Sequence, residues 1–100
     1  MIIIFGKSNR KEKKFKVVIH DGKTKRTVHF GGEGYEDYTT HNDKKRLQLY
    51  DNRHKKNENW DKSGIKTSGF WAKWMLWNKP TIDESIKDIE KRFGVNIIKE

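Results

Sequence analysis

The segment from Gly69 to Pro80, with the sequence GFWAKWMLWNKP, constrains the fold of this 100-residue chain more than any other. It contains three of the four tryptophans, and only two of its residues are charged, in a chain in which 37% of residues are charged. At 100° per residue, Phe70, Trp74 and Trp77 lie on one face of a helix, and other apolar side chains cover the opposite side. A helix that is apolar nearly all round is usually buried. We therefore predict a buried aromatic helix at the centre of the core.

Two segments that flank the aromatic helix also predict helices. Residues 43–56 place Leu47, Tyr50 and His54 on one inner stripe. The stripe of the last helix consists of Ile82, Ile86, Ile89 and Phe93. A capping box begins that last helix, and Gly94 ends it.

Four segments have the patterns of strands. They are Ile2–Phe5, Phe15–His20, Thr24–Phe30 and Val95–Lys99. Asp21-Gly22, which separates the second from the third, is a strong hairpin signal. The alternation within the hairpin predicts one apolar face and one polar, basic face.

These elements predict an α+β fold. A small antiparallel sheet, made of the N-terminal strand, the hairpin and the C-terminal strand, packs against three helices. The length suits a single domain that spans residues 1–100. Within it we expect residues 1–14 to form a flexible N-terminal strand and basic arm, with a polar connector over Lys7–Lys14 as the alternative.

The charge of the chain indicates a polyanionic partner. The net charge is +9, and the excess of cations lies in the first four-fifths of the sequence. Nucleic acid is the most frequent partner of such a domain, with duplex DNA favoured here. There are 18 lysines and five arginines. Because lysine meets phosphate as a point charge whereas arginine reads guanine edges, we expect backbone binding with little sequence preference.

Two basic clusters and one tryptophan are the candidate nucleic-acid-binding residues. They are Lys23, Lys25 and Arg26 at the hairpin tip, then Lys44, Lys45, Arg53, Lys55 and Lys56 on the basic helix, with Trp60, Lys62 and Lys66 in the loop that follows. Trp60 is a candidate for stacking on a base. The alternative, that Trp60 covers the core beneath a long loop, is the interpretation that we favour.

The sequence contains no catalytic or cofactor-binding motif. There is no cysteine, and no two of the four histidines have the spacing of a helical metal-binding pair. We therefore predict a non-enzymatic protein without cofactor or metal, and we interpret the glycines of residues 31–34 as a tight turn rather than a phosphate cradle. A small metal-dependent nuclease that uses Glu36 and Asp37 is the less favoured alternative.

No segment approaches the roughly 20 apolar residues that span a bilayer, and residues 1–5 are too short for a signal peptide. We expect no membrane partner and a location inside the cell.

A longer set of residues resembles a known family. The set comprises His29-Phe30-Gly31, Tyr35–Thr39, Arg53–Lys56, Trp60, SGIKTSGFWAKWMLWNKPT and SIKDIEKRFG. It resembles small basic proteins that are encoded by large double-stranded DNA viruses of algae and amoebae. That family has no established activity, so the resemblance implies a viral origin and no catalytic residue. In element order and charge alone, the hairpin and basic helix also resemble the archaeal chromatin protein MC1, which bends DNA.

The residues and the resemblance together lead to one expected function. The protein is expected to bind nucleic acid and to condense or package viral DNA, in the virion or the host cell interior. The alternative is a structural virion or minor capsid protein whose basic face meets other proteins.

Overall fold

The computed structural model describes all 100 residues and contains one four-stranded sheet. The strands are β1 (Ile2–Lys7), β2 (Lys13–Asp21), β3 (Thr24–Gly32) and β4 (Asn96–Lys99), in the spatial order β3-β2-β1-β4. Gly22 has a φ of +63° in the turn between β2 and β3. The Asp-Gly signal therefore marks a true two-residue hairpin turn.

The predicted α+β class is confirmed, but the sheet is mixed rather than wholly antiparallel. β1 pairs antiparallel with β2 and parallel with β4, with Ile3 opposite Ile97. β4 is reached through a helix that lies on one face of the sheet, the kind of crossover connection that a parallel pair requires. Sequence alternation identifies a strand but not its direction, which explains the difference.

The helical segments lie between β3 and β4. They are α1 (Tyr38–His41), α2 (Lys44–His54), a 3₁₀ turn (Lys62–Gly64), α3 (Ser68–Trp71), a π-helical turn that continues α3 (Ala72–Leu76), and α4 (Ile82–Phe93). The three predicted helices are present with nearly the predicted bounds. α1 was not predicted. The aromatic helix, here defined as residues 68–76, ends before the predicted limit at Pro80, and its π-helical turn is not visible in sequence periodicity.

The core lies between one face of the sheet and the aromatic helix and α4. The inward residues of β1 to β3 alternate along each strand and are almost fully buried: Ile3, Phe5, Val17, Ile19, Val28 and Phe30. Phe70, Trp71, Met75 and Leu76 meet them from the aromatic helix, and the exposed fraction of each is 2% or less. This confirms the aromatic helix as the centre of the core.

The opposite face of the sheet is not covered by any helix, and outside the hairpin it is partly apolar. Ile4 lies beside Val18 on β2 and Ile98 on β4. Ile98 is 54% exposed, and Ile2 is 45% exposed. The face therefore carries an apolar strip as well as basic residues. None of the helices is long and apolar enough to cross a membrane.

The start of the chain belongs to the sheet. β1 is an internal strand, between β2 and β4. The residues between β1 and β2 form a short connection that is tied down by hydrogen bonds from Ser8 N to Lys14 O (3.1 Å) and from Glu33 N to Glu12 O (3.0 Å). The basic residues at positions 10–14 are thereby placed at the Gly32 end of the sheet.

Candidate nucleic-acid interface

α2 and the loop after it present most of the predicted phosphate-binding side chains. The Asp43 carboxylate caps the helix by accepting from Lys45 N (2.9 Å) and Arg46 N (3.3 Å). α2 contains no buried residue, so every cation on it is accessible. The predicted residues Lys44, Lys45, Arg53, Lys55, Lys56, Lys62 and Lys66 are all exposed.

The inner side of α2 is held by polar and aromatic contacts. The Tyr50 ring stacks on Trp77 with centroids 4.3 Å apart and planes within 5°. Lys73 Nζ donates to the Asp51 carboxylate (2.8 Å) and to Trp77 O (3.0 Å). The predicted inner stripe of Leu47, Tyr50 and His54 is partly buried, as expected.

Trp60 is used in packing. Its ring is parallel to Tyr50 at 6.5 Å, and the Lys73 ammonium lies 5.2 Å from its centroid. Its carbonyl oxygen accepts from Trp74 Nε1 (2.9 Å). The geometry therefore matches the packing interpretation of Trp60 rather than a ring that is presented to a base.

The hairpin tip lies far from α2. Lys23, Lys25 and Arg26 are exposed. β3 has nine residues, which at about 3.3 Å each put the tip roughly 30 Å from the Gly32 end, where α2 lies. The predicted basic residues therefore form two separate surfaces at opposite ends of a molecule whose longest extent is 41 Å.

A cleft at the Gly32 end was not predicted. It has a volume of about 410 Å³ and lies between β3, α2 and the aromatic helix. Lys13, Tyr35 and Arg53 are among its lining residues. A second depression of about 300 Å³ adjoins it and is lined by Tyr35, Arg46, Leu49 and Arg53. Of the predicted site residues, Arg53 is the one that the structure places in the cleft.

One signal for this cleft was present in the sequence. Arg46 and Arg53 are seven residues apart, which puts them on one face of a helix two turns apart. Tyr35 gave no such signal, because its position depends on the turn that follows β3. The sequence places Lys13 in the expected flexible arm and so does not indicate that it lines the cleft.

Asp37, one of the acidic residues that line the cleft, has a structural role. Asp37 is 3% exposed; one of its carboxylate oxygens caps α1 at Thr39 N (2.9 Å) and the other accepts from Lys14 Nζ (2.9 Å). The Glu36 carboxylate lies 3.6 Å from the Arg46 guanidinium. No three His, Asp or Glu side chains are grouped as a metal ion would need. The geometry thus gives Asp37 the role of a helix cap.

The glycine-rich turn uses its own backbone. Gly31 and Gly34 have φ angles of +78° and +84°, which only glycine adopts easily. A Cβ on Gly31 would also lie 2.9 Å from Leu76 Cδ1. Tyr35 N donates to Gly32 O (3.2 Å). These features are those of a tight turn against the core.

Two titratable groups report the local electrostatics. Burial, together with the negative charges of Glu58 and Asp51, raises the pKa of Tyr50, so its phenol stays neutral. Loss of solvent contact, together with the positive charges of Arg10 and Lys16, lowers the pKa of His29 on the uncovered face. Cations therefore act on His29 at the uncovered face, whereas carboxylates act on Tyr50 in the cleft.

Most cations of the chain have no acidic partner. Only five of the 23 Lys and Arg side chains form ion pairs: Lys14, Arg46, Lys73, Arg92 and Lys99. None of the ten predicted phosphate-binding cations is among them. Their charges are therefore available to a ligand.

Residues 3–54 match a family of unknown function (DUF5754). The chain belongs to that family. The residues that match DUF5754 run from β1 to the end of α2, so they include the hairpin tip, Tyr35 and both arginines of the cleft, but not the aromatic helix. No curated protein and no solved structure matches the chain.

Proposed function

We propose that this protein binds nucleic acid, duplex DNA in particular, through its phosphates, without catalysis and with little sequence preference. The observation that carries the proposal is that all ten predicted cations are exposed and that none pairs with a carboxylate of the same chain. A lysine that is already paired gains little from phosphate, whereas an unpaired one displaces the counterions of DNA.

The shape of the molecule favours two points of contact. α2 with the following loop is one, and the hairpin tip, roughly 30 Å away, is the other. A protein that binds duplex DNA through two separate surfaces can keep two segments of the DNA close together. This supports a role in condensing or packaging DNA, which in a virus would act in the virion or the infected cell.

Salt-dependent binding to duplex DNA tests the proposal. The logarithm of the affinity should fall linearly with the logarithm of salt concentration, with a slope of about −0.9 per phosphate contact. The triple variant Lys44→Gln/Lys55→Gln/Lys56→Gln should bind more weakly. Its slope should be less negative by about 2.7, because three phosphate contacts are removed.

The matched control changes the net charge equally but on another surface. Lys79, Lys87 and Lys91 are exposed and unpaired, and two of them lie on α4. Their triple glutamine variant should keep nearly the wild-type slope. Equal losses in both triple variants would mean that net charge, not this surface, drives binding. Absence of duplex binding at 50 mM salt would overturn the proposal.

A second candidate function is attachment to another protein of a virion. The uncovered sheet face favours it, because Ile2 and Ile98 are exposed there and Lys16, opposite Gly6, lies on the same face. Such a face suits an acidic protein with an apolar surface. The protein should then be recovered from virions at a fixed stoichiometry with one acidic protein. The variant Ile98→Asp should no longer bind that protein. Recovery that follows the DNA content instead would reject this candidate.

A further inference from the structure

The cleft and its neighbouring depression form one continuous site. Both are lined by Tyr35, Glu36, Tyr50, Arg53 and Trp77. Their volumes, about 410 and 300 Å³, lie at the lower end of the range of small-molecule pockets. The site therefore has room for a group the size of a nucleotide.

Tyr35 supplies an exposed aromatic ring at this site. The ring lies against the backbone of Gly32, where an added Cβ would be 2.6 Å from Tyr35 Cδ2. Yet Tyr35 is 76% exposed, the largest exposure among the exposed large apolar side chains. The Cδ2 edge of the ring thus meets Gly32, while most of the ring surface is open to solvent. A ring of this kind is a stacking platform for a base.

Arginines line the same site. Arg53 forms no ion pair, and Arg46 has only the long contact with Glu36, in which both side chains are largely exposed. They are two helical turns apart on α2, a rise of about 10.5 Å. Arginine binds phosphate oxygens through two parallel N–H groups. Leu49, which is 53% exposed between them, adds an apolar contact.

We propose that this site binds an unpaired nucleotide of single-stranded nucleic acid, with the base stacked on Tyr35 and the adjoining phosphates held by Arg53 and Arg46. This inference rests on the proposed function and deepens it. Phosphate contacts alone do not distinguish a duplex from a single strand. A stacking platform beside two guanidinium groups does, because bases within a duplex are already stacked on each other.

The binding of two labelled 12-nucleotide probes, oligo(dT) and a mixed-sequence duplex, tests the inference. Tyr35→Ala should weaken the binding of oligo(dT) by about 5-fold or more, the effect of losing one base–aromatic stack. Tyr35→Phe should restore it, since the ring is what binds. Duplex binding should change less than twofold in both variants.

An abasic sugar–phosphate 12-mer is the ligand control. Wild type should bind it more weakly than oligo(dT), and Tyr35→Ala should bind both alike. If duplex binding is retained but oligo(dT) binding does not depend on Tyr35, this inference fails and the proposed function stands. If neither nucleic acid binds, the proposed function fails first. Displacement of oligo(dT) by an equal concentration of an acidic tyrosine-containing peptide would identify a protein ligand and overturn the inference.

Discussion

α2 and α4 have nearly the same length but are held in different ways. α4 has 12 residues, and its isoleucine stripe packs on the core, with Ile89 fully buried. α2 has 11 residues and buries none of them. It is attached through the Tyr50–Trp77 ring stack and the ion pair between Asp51 and Lys73. α4 is therefore part of the packed core, whereas α2 lies on the surface of the domain and is attached to it by a few side chains.

The charges of the two helices follow the same division. α2 contains four Lys and Arg against one acid, and α4 contains three against four. A helix with no buried residue can keep a nearly uniform charge because little of its surface must face the core. The proposed binding surface and the stable core are therefore separate parts of this small domain.

The largest expected effect compares one core residue of α4 with one exposed residue of α2. Ile89→Ala should cost about 2–5 kcal/mol of the free energy of unfolding, because Ile89 is fully buried. Leu49→Ala should cost less than about 0.5 kcal/mol, since Leu49 is 53% exposed. Urea denaturation followed by tryptophan fluorescence measures both. Similar costs for the two would break the proposed division.

The attachment of α2 is tested by its ion pair. Lys73→Met should cost about 1.5–3 kcal/mol, because the Asp51 carboxylate loses its charged hydrogen-bond partner. The double variant Lys73→Met/Asp51→Leu should lose less stability than the sum of the losses in the single variants Lys73→Met and Asp51→Leu. The difference measures the coupling between the two side chains. Strict additivity would mean that the pair does not hold α2 to the aromatic helix.

Removing the N-cap side chain should affect amide hydrogen exchange differently in α2 and in α4. Asp43→Ala and Thr81→Ala each remove a side chain that accepts from the first turn, at a cost of about 1 kcal/mol. In native-state hydrogen exchange, Asp43→Ala should accelerate the α2 amides alone, whereas Thr81→Ala should lower global stability. If the α2 amides of the wild type exchange only through global unfolding, α2 belongs to the scaffold after all.

The smallest expected effect is the loss of stability at low pH when Asp88 on α4 becomes protonated. Partial burial acts to raise the pKa of Asp88, but the hydrogen bonds from Asn78 and Arg92 outweigh it and lower that pKa below its usual value. The associated stability is present above about pH 4 and is lost as the pH falls through the folded-state pKa. The urea midpoint of the wild type should therefore fall more between pH 6 and pH 3 than that of Asp88→Asn. An identical fall would remove this contribution.

The sequence predicted most of the scaffold because its elements have strong local signals. Asp21-Gly22 located the hairpin, and the isoleucine stripe located α4. The parallel direction of β4 and the π-helical turn of the aromatic helix depend on tertiary packing, which local periodicity does not contain. The alternation predicted for the hairpin is present, and β1 and β4, for which no face was predicted, add Ile4 and Ile98 to the outer face.

The candidate site was predicted less completely. Lysine and arginine side chains are exposed almost by default, so the predicted cations lie on the surface. Their separation into two ends follows from the length of β3. The cleft depends on Tyr35 and Lys13, which meet Arg53 only after the chain has folded. As a tryptophan in a basic loop, Trp60 is a candidate for stacking on a base, but in the structure its ring lies next to Tyr50 and Lys73.

The most direct test of the central claim is a map of backbone amide chemical-shift changes when duplex DNA is added to the ¹⁵N-labelled protein at low salt. If DNA binds where proposed, changes should occur in α2, in the loop through Lys66 and at the hairpin tip, with α4 unaffected. Changes centred on α4, or none at all, would contradict it.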